Sequence, residues 1–402
     1  MNFALEVSNY VLVAILAAVS MTWIFLIRSM WITFRDSPFL DRFEPRPHNN
    51  PKVSVILPAR NEERFIEKCL NSLTNQDYEN FEIIVIDDRS DDSTGTIIKK
   101  IAEKDPRVKY LLADPKPEGW VGKNWACVEG FRRSTGDLLL FTDADTKHSK
   151  NTISLSVSHM LSENLAALSV IPKLLCLDRW TKVALPVLST FLHTRFSALR
   201  VNDPSKKTGY FFGSFFIIKR EVYSKVGTHE GVKSDIVEDG ALGKKVKEGG
   251  FKIKMVRGEH LVEAVWARDF PTLWHALKRI MTPLYIQSKY TALGIFVAVL
   301  FLLFVPFPLS IFAGIMTGSS QMFLPLLAVS LISSSLIFLA SAIDAAMGLG
   351  LPARYALLSP LGSTLIVSGF ASGILNAKSS RAVSWRGRTY ALSDTIQHSI
   401  SL

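Results

Sequence analysis

Three long runs without a charged residue constrain this chain more than any other feature. They cover residues 10–27, 290–343 and 355–377. A helix needs roughly 20 consecutive apolar residues to cross a bilayer. The runs therefore predict one membrane anchor near the N-terminus and several crossings near the C-terminus.

The charges beside the first run predict its orientation. A cleaved signal peptide is the alternative, but only Glu6 is charged before the run, so the basic segment that opens such a peptide is missing. Arginines follow the run instead, beginning with Arg28 and Arg35. Because basic residues favour the cytosolic side, we expect the N-terminus outside and the central region in the cytosol. Three cysteines without metal or disulfide spacing agree with a reducing compartment.

The net charge of +10 raises the question of a nucleic-acid partner. Basic residues are dispersed along the chain and form no stripe interleaved with aromatic residues, so we expect no nucleic acid. An anionic bilayer surface or a phosphorylated substrate accounts for the charge.

Between the apolar runs, short apolar strands alternate with amphipathic helices. We predict strands at residues 53–57, 81–87, 108–113 and 138–142, and helices at 65–76, 92–104 and 125–133. This alternation predicts an α/β domain with a mainly parallel sheet that helices cover on both faces. Residues 209–223 and 231–256 predict a strand, a loop and a helix that returns to a strand.

Composition divides the chain into six segments. They are a transmembrane helix (1–28), a proline-containing linker (29–50), the α/β domain (51–268), an amphipathic helix (269–290), transmembrane helices (291–377) and a basic tail (378–402). The amphipathic helix carries Leu273, Leu277 and Met281 on one face. That pattern is typical of a helix in the membrane interface, and a helix buried in the domain is the alternative.

Polar clusters follow three of the predicted strands, where the ligand crevice of a parallel sheet lies. They read PARNEE, DDRSDDST and DADTKH. Asp87 and Asp88 directly follow the second strand, where a carboxylate could accept hydrogen bonds from a base or a ribose. Helix capping would explain Ser90–Asp92, but it does not account for these two acids.

Asp143 and Asp145 follow the fourth strand with one residue between them. Side chains of an extended chain repeat every two residues, so we expect both carboxylates on one side. They would repel each other unless a cation lay between them, and Mg²⁺ or Mn²⁺ combines such ligands with phosphate oxygens. The pair predicts a divalent metal site, with a solvated loop as the alternative.

Two further places could take part in chemistry. Lys123 stands at a predicted helix start, where an ammonium suits a diphosphate, and a plain surface lysine is the competing interpretation. Glu238 and Asp239 are adjacent acids at another predicted helix start. One acid would suffice to cap that helix. A loop carboxylate beside the metal could also serve as a general base that deprotonates a hydroxyl.

The ordered motifs resemble one enzyme family. VSVILPARNEE, IIVIDDRSDDST, GKNWA, FTDADT, GSFFIIKREVY and VEDGALGKKVKEGGFKI resemble the inverting family 2 glycosyltransferases, whose nucleotide-diphospho-sugar-binding fold is called GT-A. The resemblance covers about residues 52–260. The flanking helices, GWVGKNWA and VSWRGRTY more narrowly resemble the membrane-bound branch of ceramide glucosyltransferases and bacterial carotenoid- or hopanoid-pathway glycosyltransferases.

The resemblance implies a role for each matching acid of the reaction centre. Asp143 would approach the ribose and the metal, and Asp145 would coordinate the metal. Asp239 matches the catalytic base, and Glu238 the acid before it.

The interfacial helix departs from the pattern of the processive members. These members continue with Q-x-x-R-W or R-x-x-R-W on that helix, but residues 276–280 retain only Arg279 of the motif, which argues against a polymer-making enzyme.

The resemblance also assigns the nucleotide pocket. The expected nucleotide-sugar contacts are Pro58, Arg60, Glu62, Asp87, Asp88, Lys123, Asp143 and Arg279.

The implied activity is transfer of one sugar from a nucleotide diphosphate sugar to a lipid. A UDP-hexose is the leading candidate for the donor. A polyprenyl-phosphate sugar synthase is an alternative, because that acceptor is already ionised and needs no base. The third hypothesis is a membrane scaffold or transport protein with a non-catalytic nucleotide-binding fold. Only Asp344 and Arg354 interrupt the C-terminal apolar region with a charge, which argues against a transport path.

The C-terminal topology is the last expectation. Three crossings after Lys289 would leave the basic tail outside, against the positive-inside rule. A re-entrant hairpin broken at Pro306 and Pro308 would return the tail to the cytosol, where WRGRTY could reach the diphosphate. We therefore expect an integral multi-pass membrane protein with its α/β domain in the cytosol, and in a prokaryote its membrane would be the cell membrane.

Overall fold

The structure is a computed structural model that describes residues 3–43, 50–380, 382–385 and 388–391. The chain divides into two compact units. The first, called the α/β unit here, comprises the described residues of Asp36–Leu175 and Phe196–Trp266. The second, the helical unit, comprises the described residues of Met1–Arg35, Cys176–Arg195 and Ala267–Thr395.

The secondary structure follows the predicted alternation. The strands are β1 (Val53–Ala59), β2 (Phe81–Asp87), β3 (Val108–Leu112), β4 (Leu138–Phe141), β5 (Thr146–His148), β6 (Ala167–Ile171), β7 (Lys173–Cys176), β8 (Phe216–Lys219), β9 (Ile253–Arg257), β10 (Val262–Ala267), β11 (Ala382–Trp385) and β12 (Arg388–Ala391). The α-helices are α1 (Phe3–Asp36), α2 (Ile66–Thr74), α3 (Thr94–Ala102), α4 (Gly122–Arg133), α5 (Thr152–Ser162), α6 (Arg179–Arg195), α7 (Ala198–Asn202), α8 (Arg220–Lys225), α9 (Glu238–Glu248), α10 (Phe270–Gln287), α11 (Lys289–Val299), α12 (Pro306–Thr317), α13 (Leu324–Ile343) and α14 (Ser359–Ser380).

A seven-stranded sheet forms the centre of the α/β unit, with the strand order β3-β2-β1-β4-β8-β6-β9. The neighbours β3, β2, β1 and β4 run parallel, and so do β6 and β9, whereas β8 is antiparallel to both of its neighbours. The predicted mainly parallel α/β sheet is confirmed. A three-stranded sheet, in the order β5-β10-β7, lies beside the connection that leaves β4.

Buried side chains explain why these segments form strands and helices. Every residue of β2 is buried, as a parallel strand covered on both faces requires. Ile66, Cys69, Leu70 and Leu73 lie on one face of α2 and join the core of the α/β unit. The polar residues that end the strands are therefore held at one edge of a rigid sheet.

The linker differs most from the expectation. The helix predicted to end at residue 28 continues to Asp36, because Met30 and Phe34 are buried rather than solvent-exposed. The next residues join the sheet of the α/β unit, where the carbonyl of Pro38 accepts a 2.7 Å hydrogen bond from the amide of Arg257. Residues 44–49 of the predicted linker lie outside the described residues.

Close helix packing characterises the helical unit. A Cβ atom added at Gly362 of α14 would lie 2.5 Å from the carbonyl oxygen of Val183 in α6, and one at Gly369 would lie 2.6 Å from the Cβ of Leu277 in α10. Small residues permit such close approaches between apolar helices. The apolar face of α10 therefore packs against α14, and its location in a membrane interface stays a prediction.

Within the part of the chain that the structure describes, three helical segments are long and apolar enough to cross a membrane, namely Ala4–Asp36, Gln321–Gly348 and Ala353–Lys378. Lys289–Phe304 and Pro306–Thr317 form a fourth candidate with a bend of 55° between them. Proline removes a helical hydrogen bond and clashes with the preceding turn, which explains the bend at Pro306.

The basic tail is described only in part. Strands β11 and β12 pair antiparallel, whereas residues 381, 386–387 and 392–402 lie outside the described residues. The predicted contact of WRGRTY with a diphosphate includes Arg386 and Gly387 and is therefore outside the described part of the chain.

Candidate active site

Asp143 and Asp145 lie in a turn rather than on an extended strand. Strand β4 ends at Phe141, residues 144–145 form a turn, and β5 begins at Thr146 in the smaller sheet. The alternation of strand side chains that we used to place both carboxylates on one side is therefore wrong here. The chain turns because it leaves one sheet and enters another within four residues.

Main-chain contacts fix this turn. The hydroxyl of Thr146 donates to the carbonyl oxygen of Asp143 over 2.7 Å, and the amide of Val265 donates to that of Asp145 over 3.2 Å. Thr142 donates to the carbonyl oxygen of Ser214 over 2.7 Å, which ties the end of β4 to the segment before β8. Both aspartates remain partly exposed, so their carboxylates can reach a ligand.

Lys123 brings together acids from two separate chain segments. Its Nζ lies 2.6 Å from Oδ1 of Asp143 and 2.6 Å from Oε1 of Glu238. Burial alone would lower the pKa of Lys123, but the charges of Asp143 and Glu238 raise it well above its ordinary value. Lys123 is therefore a buried ammonium in an acidic cluster, and the surface-lysine interpretation is wrong.

Asp239 is held by the main chain at the start of α9. Its Oδ2 accepts a 2.7 Å hydrogen bond from the amide of Gly213, and its Oδ1 accepts one of 2.8 Å from the amide of Gly240. Burial, and next the neighbouring charge of Glu238, raise the pKa of Asp239 to about 7. A carboxylate with this pKa can hold or release a proton near neutral pH, as a general base must.

Gly213 is a site residue that the sequence interpretation missed. A Cβ atom at this position would lie 2.9 Å from Oδ2 of Asp239, 3.1 Å from Nζ of Lys123 and 3.3 Å from Oδ2 of Asp143. Only a residue without a side chain allows these three groups to meet. The available signal was the glycine in GSFFIIKREVY, which stands just before β8.

Asn124 is the second missed residue. Its side-chain amide is buried and donates to the carbonyl oxygens of Val232, Lys233 and Asp235 over 2.8, 3.2 and 3.0 Å. The amide of Val121 also donates to the carbonyl of Lys233 over 2.8 Å. The N-terminus of α4 thus holds the loop that leads into Glu238 and Asp239.

The predicted base pocket lies where β1 and β2 end. The guanidinium of Arg60 donates to the carbonyl oxygen of Asp88 over 2.6 Å, to that of Arg89 over 2.5 Å and to a carboxylate oxygen of Asp91 over 3.1 Å. The amide of Asp88 donates to the carbonyl of Ala59 over 2.8 Å. Arg60 therefore joins the two polar loops, and its contact with a nucleotide stays a prediction.

Three other predicted contacts lie in the same region. Asp87 has a structural task, because its carboxylate accepts from the amide of Ser90 over 2.8 Å and from the hydroxyl of Tyr110 over 3.2 Å. The amide of Glu62 donates to the hydroxyl of Thr94 over 2.8 Å. Pro58 lies in β1, paired with Ile86 of β2. Their contact with a nucleotide stays a prediction.

Comparison with known proteins shows what the central part of the chain resembles. Residues 54–227 match the family model described as "Glycosyl transferase family 2". This stretch, a little under half of the chain, is similar to the family 2 glycosyltransferases. The matching part includes the two polar loops after β1 and β2, Lys123, the two turn aspartates and Gly213.

Two curated relatives match over a longer stretch. The chain is 28% identical over 251 residues to a probable glycosyltransferase, YdaM, of Bacillus subtilis, which covers 59% of this chain and 58% of the relative. It is 31% identical over 216 residues to a 4,4'-diaponeurosporenoate glycosyltransferase of Staphylococcus haemolyticus. This alignment covers 52% of this chain and 55% of the relative. The chain thus spans a little over half the length of these relatives.

A solved structure shows the same fold. The mannosyltransferase PcManGT of Pyrobaculum calidifontis, in complex with GDP-Man and Mn²⁺, aligns with a TM-score of 0.53 and 19% identity, over 92% of this chain and 99% of that one. The similarity confirms the GT-A-like α/β fold.

The ligand types of Asp143 and Asp145 suit one kind of metal site. In the described ranges no group of three or more His, Cys, Asp or Glu residues is arranged to hold a metal ion. Mg²⁺ and Mn²⁺ are often bound by only one or two carboxylates together with water and substrate phosphates. A cation that a bound diphosphate completes, rather than one in a protein cage, is therefore what these two carboxylates predict.

Arg279 is the one predicted contact outside the α/β unit. It lies on α10 in the helical unit. Its role toward a nucleotide sugar stays a prediction.

Proposed function

We propose that this protein transfers a single hexose from a nucleotide diphosphate sugar to a membrane lipid, with inversion at the anomeric carbon. A UDP-hexose is the leading candidate for the donor. The observation that carries the proposal is Asp239, whose pKa of about 7 and hydrogen bond from Gly213 suit a general base beside a carboxylate pair. The candidate membrane spans support a lipid acceptor.

Asp239 takes the proton of the acceptor in this reaction. The acceptor hydroxyl gives its proton to the Asp239 carboxylate while its oxygen forms a bond to the anomeric carbon. The bond between that carbon and the diphosphate oxygen breaks, and the nucleoside diphosphate leaves with the electron pair. One such displacement inverts the configuration.

Asp143 and Asp145 would hold Mg²⁺ or Mn²⁺. A divalent cation would supply electrostatic stabilisation for the charge that develops on the leaving diphosphate. The Lys123 ammonium lies 2.6 Å from Asp143 and offers a second positive charge to the same diphosphate. Arg60 keeps the base-pocket loops in place through its contacts with Asp88 and Asp91.

The membrane arrangement is part of the proposal. Arginines follow the first candidate span, Ala4–Asp36, which favours the cytosol for the α/β unit. Nucleotide sugars would reach the site from that side, and the lipid acceptor would reach it from the bilayer.

The test is a donor screen on membranes that contain the full chain. Radiolabelled UDP- and GDP-hexoses are supplied with Mn²⁺, and the lipid extract is analysed by mass spectrometry for a mass gain of one hexose. We expect a singly glycosylated lipid from one UDP-hexose, and loss of product in Asp145→Asn and Asp239→Asn but not in Glu248→Gln, an exposed acid at the far end of α9.

Two results would contradict the proposal in different ways. Full activity of Asp239→Asn together with loss in Asp145→Asn would indicate an acceptor that is already ionised, such as a polyprenyl phosphate. No metal-dependent binding of any nucleotide sugar would indicate a non-catalytic fold.

A further inference from the structure

The ammonium of Lys123 occupies a position that a divalent cation also needs. Asp143, an expected metal ligand, is only 2.6 Å from Nζ through its Oδ1. The same Nζ lies 2.6 Å from Oε1 of Glu238. The side chains of Lys123, Glu238 and Asp143 are 17%, 7% and 33% exposed, so the three groups form an ion cluster that is largely shielded from water. Charges in such surroundings interact more strongly than in water.

Two features limit where Lys123 can move. The other carboxylate oxygen of Asp143 and Oδ2 of Asp239 approach the same space above Gly213, at 3.3 and 2.9 Å from the position of its absent Cβ. Lys123 also stands at the first turn of α4, which Asn124 fastens to the loop before α9. A cation that arrives at Asp143 therefore meets an ammonium that is held beside it.

We propose that Lys123 and the divalent cation compete for Asp143, and that the donor diphosphate resolves this competition. The inference rests on the proposed function and concerns regulation of the same site. Without a donor, Lys123 pairs with Asp143 and Glu238 and keeps the affinity for the cation low. A diphosphate offers the ammonium new anionic partners, so Asp143 becomes available and the cation and the donor bind together.

The competition predicts changes in two binding affinities that a purely structural role of Lys123 would not produce. A residue that repels the cation but attracts the diphosphate must change the two affinities in opposite directions when its charge is removed. A residue that only supports the fold would weaken both affinities.

The experiment measures Mn²⁺ and UDP binding to the purified full-length protein in detergent. Free Mn²⁺ is followed by electron paramagnetic resonance without nucleotide, and UDP binding by calorimetry without metal. In Lys123→Met we expect Mn²⁺ to bind at least about tenfold more tightly and UDP at least about tenfold more weakly, a change of roughly 1.4 kcal/mol each. Lys123→Gln should behave in the same way, and it replaces Lys123→Met if that variant is unstable.

Two controls separate this effect from a general change in charge. Lys123→Arg keeps the charge and should retain the wild-type Mn²⁺ affinity. Lys104→Met removes an exposed lysine beyond α3 and should change neither affinity.

The possible results are distinguishable. Mn²⁺ affinity that is unchanged or weaker in both neutral variants would overturn the competition while leaving metal-dependent transfer in place. A wild-type protein that binds neither Mn²⁺ nor UDP would overturn the proposed function and this inference together.

Discussion

The amide of Gly213 donates a 2.7 Å hydrogen bond to Oδ2 of Asp239. Gly213 precedes β8, and Asp239 begins α9, so this one contact joins two segments that are 26 residues apart in the chain. It sets the position of the carboxylate that we assign as the base.

Replacement of Gly213 by alanine tests this relationship. The new Cβ would lie 2.9 Å from Oδ2 of Asp239, so this carboxylate must shift, and 3.1 Å from Nζ of Lys123, which must give by a few tenths of an ångström. A misplacement on the order of 1 Å can cost about 10²-fold in rate, so we expect this smaller shift to cost less than that in kcat/KM for sugar transfer, on the order of tenfold. Gly294→Ala, where nothing lies within 4 Å, should retain activity. Wild-type activity of Gly213→Ala would contradict the assigned geometry.

Asn124→Ala should destabilise the protein and reduce transfer together. The substitution removes this donor from the carbonyl oxygens of Val232, Lys233 and Asp235. Those of Val232 and Lys233 keep the backbone amides of Asp235 and Val121, so we expect a cost near that of one unsatisfied buried group, roughly 1–3 kcal/mol. A lower midpoint of thermal unfolding in detergent checks the first effect. Asn71→Ala, on the exposed face of α2, should change the midpoint little.

The contrast between Asn124 and the strands explains what the sequence predicts well. Hydrophobic periodicity located β2 at residues 81–87 without error and placed β1 and β3 within two residues, because burial of a continuous apolar strand is a local pattern. The contacts of Asn124 join residues more than a hundred positions apart, and no local pattern contains them.

The acidic cluster shows the same limit. The sequence identified Lys123, Asp143, Glu238 and Asp239 individually, because strand ends and helix starts are visible as patterns. It did not predict that Lys123 would bridge Asp143 and Glu238, or that the chain would turn at residues 144–145. Both depend on how distant segments pack.

Asp235→Asn should stabilise the protein at alkaline pH but not at acidic pH. Burial raises the pKa of Asp235 from 3.8 to about 6, so the folded state binds the proton more tightly than the unfolded state. The stability that this group contributes is greatest below pH 4 and is lost as the pH rises through 6.

The gain in Asp235→Asn follows from that difference in pKa. Asparagine cannot ionise, so we expect a gain of up to about 3 kcal/mol in the free energy of unfolding at pH 8 and equal stability at pH 4. Denaturant titrations at the two pH values measure it. The exposed Asp77 offers a control, since Asp77→Asn should show no such pH dependence. A variant less stable than wild type at pH 8 would refute the prediction.

A buried hydrogen-bonded pair of side chains lies in the helical unit. Nδ1 of His193 on α6 lies 2.6 Å from Oδ1 of Asp344, and Oδ2 of Asp344 accepts a hydrogen bond from Ser189. Removal of one partner of a buried pair leaves an uncompensated polar group and typically costs about 3–5 kcal/mol. We therefore expect Asp344→Ala to lower the midpoint of thermal unfolding in detergent.

A double-mutant cycle distinguishes this pair from two independent contacts. Asp344→Ala combined with His193→Phe should lower the unfolding midpoint by less than the sum of the two single changes, because no charge is left unpaired. Additive effects would show that the two side chains do not stabilise each other.

The pH dependence of transfer by the wild type and by Asp239→Asn tests the central claim most directly. A base with a pKa of about 7 is protonated and inactive in acid, so log kcat/KM of the wild type should rise with a slope near 1 up to about pH 7 and then level off. Asp239→Asn should lower kcat/KM by roughly 10²- to 10⁴-fold and abolish that slope. Retention of wild-type kcat/KM and of the same pH profile in Asp239→Asn would contradict the assignment of Asp239 as the base.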